Sequence, residues 1–177
     1  MKSSVKKHAA GIEAIVFDVD GVLTGGEIIH SPDGEWKIFD VQDGQGFAMA
    51  RLAGLKTALL TGRRSAAVRR RAAELKVDVL VDGSRDKGVA LDAILVKLGV
   101  APAKACYVGD DLPDLPALRS AGLPVAVANA VPEVRAAAAW VTKACGGKGA
   151  AREVIEGILK AKGAWKALVN RYRRSEV

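Results

Sequence analysis

Six short apolar runs recur along the chain, at residues 14–17, 57–60, 77–81, 105–108, 125–127 and 140–142. They are rich in Val, Ile and Leu and show no polar alternation, as strands buried on both faces should. Helix-like segments fill the intervals. Residues 46–53 stop at Gly54, residues 86–98 stop at Gly99 with Pro102 beyond, and residues 115–121 stop at Gly122; glycine suits the position after a helix. Ser65 offers an N-cap for residues 65–75, Pro132 suits the first position of residues 132–139, and residues 150–159 follow the loop 146–149. Alternation of this kind predicts an α/β protein: a three-layer, Rossmann-like fold with a central, mainly parallel sheet. Half of the 177 residues are hydrophobic, enough for one such core. The chain shows no internal repeat or low-complexity stretch.

One segment breaks the alternation. Residues 27–30 and 35–41 read as strands around the turn cluster Ser31-Pro32-Asp33-Gly34, a β-hairpin set directly after the first apolar run. Ile28, Ile29, Trp36, Ile38 and Phe39 put apolar surface on both of its faces. A lone hairpin is marginal in water, so this surface calls for a cover, either elsewhere in the protein or on another subunit.

The residues that follow each run carry the chemistry, because ligands of open α/β sheets bind beyond the carboxyl ends of the strands. The first run, IVF, ends in Asp18-Val19-Asp20-Gly21; the second ends in Thr61-Gly62-Arg63. The run at 105–108 leads into Gly109-Asp110-Asp111, with Asp114 just beyond, and Lys87 opens a helix after the loop 82–86. Three or four carboxylates at one sheet edge repel one another without a cation. An oxygen-only set without a His or Cys cluster suits Mg²⁺. An EF-hand loop does not fit Asp18-x-Asp20-Gly21, since Val22, Leu23 and Ile29 stand where ligands or glycine are needed. A receiver domain places its paired acids first and its lysine last, whereas Lys87 here precedes Asp110-Asp111.

The order Asp-x-Asp-Gly-Val, Thr-Gly-Arg, Lys, Gly-Asp-Asp-x-x-Asp resembles the haloacid dehalogenase superfamily of phosphohydrolases. DVDGVLTGGEI, GEWKIFDVQDGQG, LLTGRRS, GDDLPDLPAL, PVAVANA and GGKGAAREVIEGIL look like its 3-deoxy-D-manno-octulosonate 8-phosphate phosphatase subfamily across about residues 12–160. The resemblance implies a Mg²⁺-dependent phosphomonoester hydrolase of a sugar-acid phosphate, with a place in lipopolysaccharide biosynthesis. It implies Asp18 as nucleophile, forming an aspartyl-phosphate, and Asp20 as general acid and base. Asp18, Asp20 through its carbonyl, and Asp110 would hold the metal. Thr61, Gly62 and Lys87 would bind the phosphate, with Asp111 and Asp114 behind them. It further implies a tetramer, with the hairpin in place of a cap domain. Lys37, Arg63, Lys148 and Arg152 are candidates for the sugar acid's carboxylate and hydroxyls. Residues 146–149 form either an anion-binding loop or a plain helix entry. Many relatives carry Arg where this chain has Gln42, and Asp-Ala-His where it has Asn129-Ala130-Val131. A nine-carbon sialic-type sugar acid 9-phosphate or another small phosphomonoester is therefore the alternative substrate. A non-catalytic binding module has no use for the intact acid set.

The net charge of +7 raises the question of nucleic acid. Residues 11–159 carry 18 basic and 19 acidic residues, so the positive charge belongs to the ends. The reading is a basic tail at 1–10, a phosphatase domain at 11–160 with its hairpin at about 25–41, and a basic tail at 161–177, without a nucleic-acid partner. The last segment, AWKALVNRYRRSEV, reads as an amphipathic helix, a subunit contact or solvated charge. Cys106 and Cys145 have no metal-ligand spacing. No apolar stretch follows the basic opening or approaches the roughly 18 residues of a membrane span, so a cytoplasmic setting without membrane contact is expected.

Overall fold

The computed structural model describes residues 3–32 and 34–175. Asp33 of the hairpin turn, and Lys2 and Glu176 of the basic ends, lie outside the described residues.

Six parallel strands form the central sheet: β1 (Ala14–Phe17), β4 (Lys56–Thr61), β5 (Val79–Asp82), β6 (Ala105–Gly109), β7 (Leu123–Ala126) and β8 (Trp140–Val141). Their order is β5-β4-β1-β6-β7-β8. β1 is buried throughout, which explains why its sequence is an unbroken apolar run. Phe17, its last residue, pairs with Leu59 of β4 on one side and Val108 of β6 on the other. The chain leaves β1 toward β4 and later returns toward β6. The order therefore reverses at β1, and the crevice where such folds bind ligands opens at its carboxyl end.

Helices cover the sheet. α1 (Ser3–Ala10), α2 (Val41–Leu52) and α7 (Ala150–Ala161) pack together. α4 (Lys87–Leu98), α5 (Leu115–Ser120) and α6 (Pro132–Ala137) form a second group, while α3 (Ala66–Leu75) touches α2 and the hairpin. Phe17 meets Phe47 of α2 with ring centroids 5.1 Å apart, which ties β1 to that layer.

Several boundaries differ from the sequence reading. α2 starts at Val41 rather than residue 46, because Asp40 caps it by accepting the Gln42 amide at 2.6 Å. The hairpin strands shrink accordingly to β2 (Ile29–Ser31) and β3 (Gly34–Trp36). Both basic ends form helices, the C-terminal one in line with its reading as an amphipathic helix and the N-terminal one in place of a plain tail. α1 buries Val5 and Ala9 against α7, and α8 (Trp165–Arg173) buries Leu168. Their charges face water while their apolar stripes join the core. No helix among the described residues is long and apolar enough to cross a membrane.

Candidate active site

The site is built first by a turn. After β1 the backbone reverses through Gly21, whose φ of +87° favours glycine; a Cβ there would lie 1.9 Å from Asp110 Oδ2. The buried Thr24 hydroxyl accepts the amides of Gly21 (3.3 Å) and Gly26 (3.2 Å) and locks the turn. Behind it lie Gly146 and Gly147. A Cβ on Gly146 would come within 1.6 Å of the Gly21 carbonyl, and one on Gly147 within 2.5 Å of the Gly25 amide. The loop 146–149 thus buttresses the turn, held by Asn129 Oδ1 accepting the Gly146 amide at 2.7 Å.

This turn delivers Asp18 beside Asp110, at the ends of adjacent strands. Oxygens of Asp18, Asp110 and Asp114 lie within 4.8 Å of one another. Burial, then the Asp114 charge, pushes Asp18 well above the usual carboxylate range, and the same causes push Asp110 up to about 7. Asp110 Oδ1 is buried with no hydrogen-bond donor among the described residues. Adjacent buried carboxylates with an orphaned oxygen need a proton or a cation between them. Hard oxygen donors without nitrogen or sulfur fit Mg²⁺.

Asp114 is saturated otherwise. Its Oδ2 accepts the amides of Asp110 (2.9 Å) and Asp111 (3.1 Å), and its Oδ1 accepts Tyr107 (2.7 Å) and Lys87 (2.6 Å). That leaves Asp18 and Asp110 as the side chains free to take a metal. Lys87 Nζ also reaches Asp18 Oδ1 at 2.9 Å. Burial works against the Lys87 charge, but Asp18 and Asp114 hold it above its ordinary pKa.

A second charged chain comes from the hairpin. Lys37 contacts Asp20 and Glu35, and Glu35 binds Arg63 at 2.5 Å. Both cations pull the Glu35 carboxyl below its usual range. Thr61 Oγ1 lies 3.4 Å from Asp20 and accepts the Arg63 amide at 3.2 Å. Asp18, Asp20, Thr61, Gly62, Arg63, Lys87, Asp110 and Asp111 bound a cleft of about 330 Å³, whereas Lys37 and Glu35 do not line it.

The sequence-predicted residues therefore converge, with exceptions. Arg152 lies outside the cleft: its guanidinium sits 5.4 Å from the Trp165 ring and pairs with Glu156. Its place in the first turn of α7 aims it at α8. Lys148 is exposed and does not line the cleft. Asp111 caps the turn Leu112–Asp114 by accepting the Leu112 amide at 2.8 Å and does not reach Lys87. Gln42 is exposed in the first turn of α2. Two participants had escaped notice, Tyr107 and Glu35. The signal for the first was a tyrosine inside an otherwise aliphatic strand.

Residues 80–153 match the haloacid dehalogenase-like hydrolase family. The 3-deoxy-D-manno-octulosonate 8-phosphate phosphatase KdsC of Escherichia coli is 40% identical over 164 residues, covering 92% of this chain and 87% of that protein. The chain belongs to this phosphatase family. Solved members share its architecture. The Moraxella catarrhalis phosphatase, crystallised with magnesium, phosphate and the eight-carbon sugar acid, superposes with a TM-score of 0.94 at 40% identity, covering 97% of this chain and 99% of that one. A probable family phosphatase from Pseudomonas syringae gives 0.93 at 45% identity, covering 97% and 98%. The six-stranded sheet and the small hairpin are thus those of a haloacid dehalogenase-type phosphatase.

Proposed function

We propose that the protein hydrolyses 3-deoxy-D-manno-octulosonate 8-phosphate, releasing the sugar acid and inorganic phosphate. The observation that carries the reading is the meeting of Lys87 with Asp18 and Asp114 beside the orphaned oxygen of Asp110, in a chain 40% identical to a phosphatase of that substrate.

Asp18 and Asp110, with the Asp20 carbonyl, would hold Mg²⁺, which when bound would neutralise phosphate charge that otherwise repels a carboxylate. Asp18 attacks phosphorus and becomes an aspartyl-phosphate. Asp20 gives a proton to the departing sugar oxygen, then takes one from the water that hydrolyses the intermediate. Thr61 and the Gly62 amide hold phosphate oxygens, and Lys87 keeps Asp18 aligned and offsets the charge that develops on the phosphoryl group. Arg63, half-exposed at the cleft mouth, receives the sugar-acid carboxylate, and Glu35 links it to Lys37.

The hairpin leaves Ile28, Trp36 and Ile38 exposed, with Trp36 at 60% and Ile38 at 68%. An apolar patch of this size supports assembly through the hairpin, a tetramer in which neighbours close one another's clefts. Both cysteines are free, Cys106 buried and Cys145 exposed, which fits a reducing, cytoplasmic setting.

A phosphate-release screen over phosphorylated sugar acids, with EDTA and Asp18→Asn controls, tests the reading. Turnover of the eight-carbon ester, abolished by both controls, is expected. Preference for a nine-carbon ester would move the substrate assignment. Full activity of Asp18→Asn would sink the mechanism.

A further inference from the structure

Tyr107 stands in the middle of β6, fully buried between Cys106 and Val108. A hydroxyl at such a place costs stability unless it is satisfied. It donates to Asp114 Oδ1 at 2.7 Å, the oxygen that also accepts Lys87 at 2.6 Å. The other oxygen of Asp114 holds the amides of Asp110 and Asp111. One carboxylate thus ties the Asp110 backbone to Lys87, and Lys87 carries the tie on to Asp18 at 2.9 Å.

Asp114 packs on the bare face of Gly109, where a Cβ would come within 2.6 Å of it. A shift of Oδ1 away from its present place would strand the buried tyrosine hydroxyl, which has no other hydrogen-bond partner among the described residues. The arrangement locks itself. We propose that Tyr107 is a positioning residue of the phosphatase: its hydroxyl fixes the Asp114 carboxylate so that Lys87 is held on the nucleophile Asp18. The inference rests on the reading of Asp18 as nucleophile. It gives β6 a part in catalysis beyond supplying Asp110 at its end.

The test is Tyr107→Phe, which removes one oxygen and leaves the strand packed. Phosphate release is measured with the eight-carbon sugar-acid phosphate and with p-nitrophenyl phosphate. The kcat should fall roughly tenfold on both, the usual size for loss of a supporting partner, while KM stays within about twofold and Tm is little changed. In an Asp114→Asn background the same change should cost nothing further, because Tyr107 acts through Asp114. Wild-type kcat in Tyr107→Phe overturns the proposal, and so do losses that multiply in the double variant. If Asp114→Asn does not fold, the split decides: a fall in kcat alone supports positioning, and a fall in Tm or a rise in KM alone refutes it. An inactive unaltered enzyme would instead count against the proposed function, so the two readings fail in different samples.

Discussion

Asp43 offers a quantitative test of how the helical layer is held. It lies in the first turn of α2, 3% exposed, and its Oδ1 accepts the Arg152 amide at 2.7 Å, capping the start of α7. Its Oδ2 is buried with no hydrogen-bond partner among the described residues. Burial raises its pKa from 3.8 to about 6, against the lowering effect of the Arg152 amide. Between those values the folded protein holds a proton that the unfolded chain has lost. Stability therefore falls as pH rises through that window, and a constant penalty remains above it. The gap corresponds to about 3 kcal/mol. Asp43→Asn removes the charge and keeps a carbonyl for the Arg152 amide. The favourable pull of the α7 amides is already inside that figure, and the buried amide NH₂ of Asn is stranded at a cost of about 2 kcal/mol. The variant should gain about 1 kcal/mol at pH 7.5, or ~3 °C in Tm for a chain of this length. The gain should shrink and then reverse toward pH 4.5, where the wild-type carboxyl is protonated in the folded state. Calorimetry of both proteins across that range, at constant Mg²⁺, checks it. A difference in Tm that is flat with pH, or that grows on acidification, would refute the reasoning.

Other outcomes follow from the same contacts. Mg²⁺ at millimolar concentration should raise Tm, because it binds the folded state; Asp110→Asn should abolish the rise in a dye-monitored melt. Gly21→Ala, whose methyl would meet Asp110 at 1.9 Å, should lose both that rise and phosphatase turnover. Trp36→Glu should convert the proposed tetramer to smaller species by light scattering. Arg152→Ala should leave KM within about twofold, since Arg152 packs on Trp165 outside the cleft, and cost about 1 kcal/mol in a urea melt.

The parallel sheet could be read from sequence because two-sided burial leaves a strong signature, an apolar run too short for a helix. The residues Asp18, Thr61, Lys87 and Asp110 were equally legible, as polar residues following such runs or opening a helix after one. What escaped depended on side-chain direction. Asp40 as a cap, and hence the early start of α2, is a local choice that competes with continuing the hairpin strand. Arg152 looked like a site residue because it follows a glycine-rich loop that opens a helix; helix phase then turns its side chain toward α8. The basic ends look solvated in composition, yet Val5, Ala9 and Leu168 are enough to dock them. Tyr107 has no sequence neighbour that announces its role, since Asp114 lies seven residues on and reaches it only through the fold.

The contact of Gly146 and Gly147 with the turn after β1 bears on the protein's synthesis. Every residue assigned to chemistry, from Asp18 to Asp114, precedes position 146. A chain still on the ribosome at residue 130 would carry the whole reactive set without the backing that shapes its first turn. Competence should therefore arrive late and abruptly, when the loop before α7 closes on a strand made some 130 residues earlier. Chains released short of that point would carry the acids unframed, and quality control would meet them as unfinished protein rather than as a weak enzyme.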